Sequence, residues 1–95
     1  MTLSFQSKAT VPEHVLTREL DGELVILDLH SESYLGLDAV GTRIWQLLAS
    51  TDSIEAVFEQ LLEEYEVEAE TLRADLVELL EDLCGRGLVV LDSHV

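Results

Sequence analysis

The sequence predicts an α+β domain in which a three-stranded antiparallel sheet comes first and three helices follow. Three observations carry that expectation. Two β-rich runs flank the turn dipeptide Asp21-Gly22, the apolar residues change to helical spacing after Asp38, and that spacing recurs twice before the glycines Gly85 and Gly87.

Residues 15–20 and 24–29 are the arms of the hairpin, and Asp21-Gly22 accept the positive φ angles that a tight turn between twisted strands requires. The polar residues 30–33 lead to Tyr34, Leu35, Gly36 and Leu37, a third strand with Tyr34 and Gly36 on one face and Leu35 and Leu37 on the other. Asp38 stands at an N-cap position. Val40, Ile44, Trp45, Leu47 and Leu48 then trace the apolar face of a first helix ending near Ala49, with Trp45 buried. Asp52 and Glu55 form a capping-box-like start for a second helix. Its inner face is Ile54, Val57, Phe58, Leu61, Leu62 and Tyr65, while Glu55, Glu59, Glu63 and Glu64 face water. A break at residues 66–68 precedes the third helix, which the glycines close. Residues 88–91 are a closing strand or an extended tail. Residues 1–11 are expected to be a flexible or loosely packed N-terminal segment of one domain spanning 1–95.

On the third helix, Leu79, Leu72, Leu83, Leu76, Ala69 and Leu80 cover roughly a third of the circumference at about 100° per residue. Arg73, Cys84 and Val77 widen the stripe along one edge. That flank either meets a ligand or packs beneath the sheet with the aliphatic stem of Arg73 laid along it.

Composition narrows the function. The 95 residues hold 20 acids against five bases, a formal net charge of −15. Thirteen of the acids lie in residues 51–95, where Arg73 and Arg86 are the only bases. Nucleic-acid affinity comes mainly from Lys and Arg neutralising phosphates, so no nucleic-acid partner is expected; basic or neutral partners are favoured. No apolar run approaches the roughly 20 residues that cross a bilayer, and residues 1–8 lack the basic region and apolar block of a signal peptide. The expected location is cytoplasmic, with no membrane partner. A lone cysteine, Cys84, excludes an internal disulfide.

Catalytic chemistry is not expected. His14, His30 and His94 are scattered without cysteines or carboxylates at ligand spacing, except that His30 lies near Asp28 and Glu32 in a turn. Cys84 falls on an apolar flank, where a thiol is ordinarily inert. Gly85-Arg86-Gly87 ends a helix, the wrong context for a phosphate loop. The expectation is therefore no enzyme, no catalytic residue, no metal and no cofactor.

An ordered set of residues resembles the PqqD-like family, the small precursor-peptide recognition domains. It runs from Tyr34-Leu-Gly-Leu-Asp38 through Gly41, Ile44-Trp45, Leu47-Leu48, Ser53-Ile54, Leu61 and Tyr65-Glu-Val67 to Asp75-Leu76, Leu83 and Gly87-Leu-Val89. The resemblance implies a winged-helix-like domain that binds the leader of a ribosomally made precursor peptide. In that family the leader adds as a strand to the third strand and packs on the third helix, which is β-augmentation. Carried over, the strand is Ser33, Tyr34, Leu35, Gly36 and Leu37, and the helical wall is Arg73, Leu76, Val77 and Leu80. The implied partners are a precursor peptide leader and a leader peptidase or other maturation enzyme. A separate domain of this length is most similar to the recognition proteins of lasso peptide biosynthesis. The alternatives are a chaperone presenting its peptide to a radical enzyme in pyrroloquinoline quinone synthesis, or a structural or oligomerisation subunit.

Overall fold

A computed structural model of the chain describes residues 5–92. Strands β1 (Lys8–Thr10), β2 (Val15–Leu20), β3 (Glu23–Asp28) and β4 (Ser33–Leu37) precede helices α1 (Ala39–Ser50), α2 (Ile54–Glu64) and α3 (Ala69–Gly85), and β5 (Val90–Asp92) closes the order. The expected meander is present as an antiparallel sheet in the order β2-β3-β4. Its hairpin turns at Asp21 and Gly22, both at positive φ (53° and 81°), as a turn matched to the strands' twist demands. The winged-helix likeness is loose but compatible with this order of elements.

Alternation places the sheet on the helices. Leu24, Ile26 and Asp28 of β3 point inward and are buried, whereas Leu27 stands outward in one cross-strand row with Leu16 and Tyr34. The buried layer beneath comprises Ile44, Trp45, Leu47 and Leu48 of α1, Ile54, Val57, Phe58 and Leu61 of α2, and Leu72, Leu76, Leu80 and Leu83 of α3. One apolar residue of α1 departs from its expected role. Val40 is 44% exposed, because it lies in the first helical turn beyond the margin of the sheet.

Helix ends depart from expectation at α2. Its N-cap is Ser53, whose hydroxyl accepts from the Ala56 N–H at 3.2 Å, while Asp52 faces solvent and approaches Lys8 at 3.7 Å. The Phe5 and Ser7 carbonyls accept from the Glu55 and Ile54 N–H groups at 2.9 and 3.0 Å. The N-terminal segment thus completes the first turn of α2, satisfying donors that a helix start leaves open. From Phe5 onward it is packed, where a loose segment was expected: Ser7 and Ala9 are buried, and β1 pairs antiparallel with β5 from Lys8↔Asp92 to Thr10↔Val90. Residues 1–4 and His94 lie outside the described residues. At the end of α3, Gly87 has φ 74°, and its N–H and that of Leu88 donate to the Cys84 and Leu83 carbonyls, a Schellman closure.

Arg43 of α1 clamps Glu64 of α2, with Nε and Nη2 donating to the two carboxylate oxygens at 2.8 and 2.6 Å. The Arg43 hydrogen bond, helped by one from Gln60, holds the Glu64 carboxyl at about 2. No described helix is long and apolar enough to cross a membrane.

Trp45→Ala should lower stability by about 3–5 kcal/mol in denaturant unfolding, because the ring is almost wholly buried. A much smaller loss would show that the core closes over its absence. The Glu64 carboxyl titrates lower in the folded chain than its ordinary 4.5, so its contribution is fully present above that value and falls away toward about pH 2. Wild type and Glu64→Gln should therefore differ in urea midpoint at neutral pH and converge near pH 2. A gap that persists at pH 2 would assign the effect to packing.

Candidate functional site

β4 is a free margin of the sheet. It pairs with β3 from Leu24↔Leu37 to Asp28↔Ser33, and among the described residues no strand occupies its other side. Such an edge directs unpaired backbone N–H and C=O groups outward, a template for one more strand.

Beside this edge lies an open groove of about 640 Å³. One wall is Leu35, Gly36 and Leu37 of β4; the floor is Asp38, Val40, Gly41 and Ile44 at the start of α1; the far wall is Asp75, Leu79 and Asp82 of α3. A small recess of about 30 Å³ continues it toward Ser33 and Tyr34, bounded by Ile26, Arg86 and Leu88. The groove's apolar centre is Leu35, Leu37, Ile44 and Leu79, and the exposed carboxylates of Asp38, Asp75 and Asp82 line it.

The junction between β4 and α1 sets this shape. The Asp38 carboxylate accepts from the Gly41 N–H at 2.8 Å and caps the helix. A Cβ on Gly41 would lie 3.3 Å from both Asp38 Oδ1 and Leu37 Cβ, so a side chain there would press on the cap and on the end of the strand. The buried Thr42 hydroxyl accepts from the Leu24 N–H at 2.9 Å, tying α1 under β3. At the other end of β4, Asp28 accepts from the Ser31 hydroxyl at 2.9 Å and from the His30 N–H at 3.0 Å, fixing the turn that leads into Ser33. Those bonds, the Ser31 hydroxyl first, lower the Asp28 carboxyl below its ordinary value. The His14 and His30 rings stack face to face above it, 3.8 Å apart.

The expected site residues divide. Ser33, Tyr34, Leu35, Gly36 and Leu37 form the edge strand, with Leu35 and Leu37 turned inward and Tyr34 76% exposed on the outer face. Gly36 is not required for clearance within the chain, since a Cβ there would meet nothing within 4 Å. The helical wall is different from the expected one. Leu76 and Leu80 are fully buried in the core and reach no groove. Arg73 and Val77 line another shallow depression, of about 600 Å³, with Glu70, Ala74, Glu78 and Glu81. There the Arg73 guanidinium lies over the Phe5 and Phe58 rings, 4.4 and 4.7 Å from their centroids.

The reason is angular. The apolar stripe of α3 has two edges, and the edge carrying Arg73 and Val77 turns toward the N-terminal segment. The opposite edge, Asp75, Leu79 and Asp82, turns toward β4; at about 100° per residue these three fall within roughly 60° of one another. The sequence signal for them was two aspartates flanking Leu79 at helical spacing, which reads equally well as a solvated border. Cys84 is partly buried, and burial raises its thiol above the ordinary value, which favours the protonated form near neutral pH. Among the described residues no three His, Cys, Asp or Glu side chains gather closely enough to hold a metal ion.

The family model for PqqD, coenzyme PQQ synthesis protein D, matches residues 23–89, from the start of β3 through the Schellman closure. The chain belongs to the PqqD family. A relative, a PqqA binding protein of Rhodopseudomonas palustris (strain BisB5), is 27% identical over 89 residues, covering 94% of this chain and 87% of its own. Among solved structures, TbiB1 in complex with the TbiA(beta) leader peptide is 34% identical, with a TM-score of 0.78 over 90% of this chain and 96% of that one. The lasso peptide synthetase B1 complexed with the leader peptide is 26% identical, with a TM-score of 0.80 over 87% and 98% of the two chains.

In this PqqD-family domain the buried Thr42 hydroxyl carries a testable load. Thr42→Val keeps the shape but leaves the Leu24 N–H without its acceptor, so stability in denaturant unfolding should fall by about 1–3 kcal/mol. An unchanged midpoint would show that the amide has another partner.

Proposed function

We propose that this protein binds the leader segment of a ribosomally made precursor peptide by adding it as a strand to the edge of β4, and presents it to a maturation enzyme. The observation that carries the reading is an unpaired strand edge bordered by an apolar groove, in a chain similar to two solved proteins that hold leader peptides. Backbone hydrogen bonds along Ser33–Leu37 would supply affinity. Alternate side chains of an antiparallel peptide would enter the groove over Leu79 and Ile44, and the others would join the outer row beside Tyr34.

The role is binding without catalysis, and the setting is the cytoplasm, where precursor peptides are made. The lasso class of product is preferred because both of the solved relatives above hold a leader peptide and one is itself a lasso peptide synthetase component. Presentation of a peptide in PQQ synthesis is the second reading, favoured by the family model and the PqqA binding relative.

Titration calorimetry with a precursor leader peptide tests the site. Leu79→Glu puts a charge where an apolar side chain should be buried, and binding should weaken at least tenfold, about 1.4 kcal/mol. Val77→Glu, on the opposite flank of α3, should bind as wild type does. If Val77→Glu weakens binding and Leu79→Glu does not, the peptide lies on the Arg73 face instead.

A further inference from the structure

Three carboxylates, Asp38, Asp75 and Asp82, line the groove, and one base, Arg86, bounds the recess at its Ser33 end, paired with Asp82. At the Leu37 end stand Asp38 and Asp75, and Asp75 has no side-chain hydrogen bond or ion pair among the described residues. At the Ser33 end stands Arg86, whose Nε donates to Asp82 at 3.1 and 3.2 Å, leaving its terminal nitrogens to serve another acceptor. Because Asp75 borders the end of β4 and Arg86 its beginning, α3 runs antiparallel to the strand across the groove. A peptide paired antiparallel with β4 begins opposite Leu37 and finishes opposite Ser33. Its early side chains then meet carboxylates and its late ones a guanidinium.

The geometry points to a leader segment of defined charge order: a Lys or Arg first, an apolar residue seated on Leu79 and Ile44, then an Asp or Glu. This inference rests on the strand-addition reading above. The spacing follows from helix and strand rises. Asp75 and Arg86 are separated by about 16 Å along α3 at roughly 1.5 Å per residue, which is about five residues of strand. Side chains on one face of a strand recur every second residue, so the acid follows the base by about four or six positions. The same charges would set direction, since a reversed peptide would bring its acid against Asp38 and Asp75. Each contact is charge-assisted. The general acidity of the surface attracts any basic peptide and cannot by itself produce an order.

A random 12-residue display library selected on the folded protein tests this directly. Wild type should enrich peptides with a base four or six positions before an acid and an apolar residue between. Asp75→Lys should turn the first position acidic, and Arg86→Glu should turn the second basic. Glu59→Lys, on the outer face of α2, changes net charge equally with Asp75→Lys and should leave the pattern intact. A synthetic peptide of the enriched pattern should lose at least tenfold in affinity for Asp75→Lys. Peptides enriched without a charge order, an order unmoved by the Asp75 and Arg86 variants, or no enrichment at all would overturn the inference. The strand-addition reading fails separately: it falls if Leu79→Glu captures the wild-type-selected peptides undiminished.

Discussion

The structure depends on the single residue that separates β4 from α1. Asp38 ends the strand and caps the helix in one step, its carboxylate on the Gly41 N–H, and the next turn delivers Thr42 to the Leu24 amide. With so short a junction, α1 must turn back beneath the sheet and cannot continue outward along the margin. The edge of β4 is thereby left open, and the first turn of α1 becomes the floor beside it. Gly41 belongs to the same constraint, since a side chain would push on the cap and the strand together. The motif Leu37-Asp38 with Gly41 is thus a geometric device that builds a groove.

The other half of the groove is set from a distance. The flank of α3 turned away from β4 meets the N-terminal segment, with Phe5 packed edge-to-face on Phe58 and Arg73 over both rings. Cation–π contacts of this kind contribute about 0.5–2 kcal/mol. The rotation of α3 is set mainly by its buried Leu72, Leu76, Leu80 and Leu83, and these ring contacts occupy one edge of that stripe while the other borders the sheet. The pairing of β1 with β5 joins the two ends of the described chain at the same side. A segment that looks peripheral in the sequence therefore helps orient the wall of the candidate site.

A small acidic domain suits recognition by strand addition. Main-chain hydrogen bonds supply attraction that does not depend on the side chains of the guest, so the domain need not be large or deeply pocketed. Selectivity then falls to the few side chains that line the groove. Partly exposed single charges contribute modestly to affinity, but like charges brought together are penalised, and that penalty discriminates between peptides and between directions.

Local chemistry alone determined the elements. Asp21-Gly22 specified the hairpin, Asp38 the start of α1, the i, i+3, i+4 series the inner face of α2, and Gly87 the end of α3, because each effect acts within a turn or two of chain. The strand at Tyr34–Leu37 was legible for the same reason, while its role as the edge of the candidate site followed from the family resemblance. Residue patterns could not reveal that Phe5 and Ser7 complete the first turn of α2, or that Lys8–Thr10 pairs with Val90–Asp92, since those bonds join backbone groups far apart in sequence and carry no side-chain signature. Nor could periodicity choose between the two flanks of α3. A helical stripe is symmetric about its core, and Arg73 with Val77 borders it as plausibly as Asp75 with Leu79. Only tertiary packing broke that symmetry, by pinning Arg73 over two aromatic rings and turning Leu79 toward the open strand.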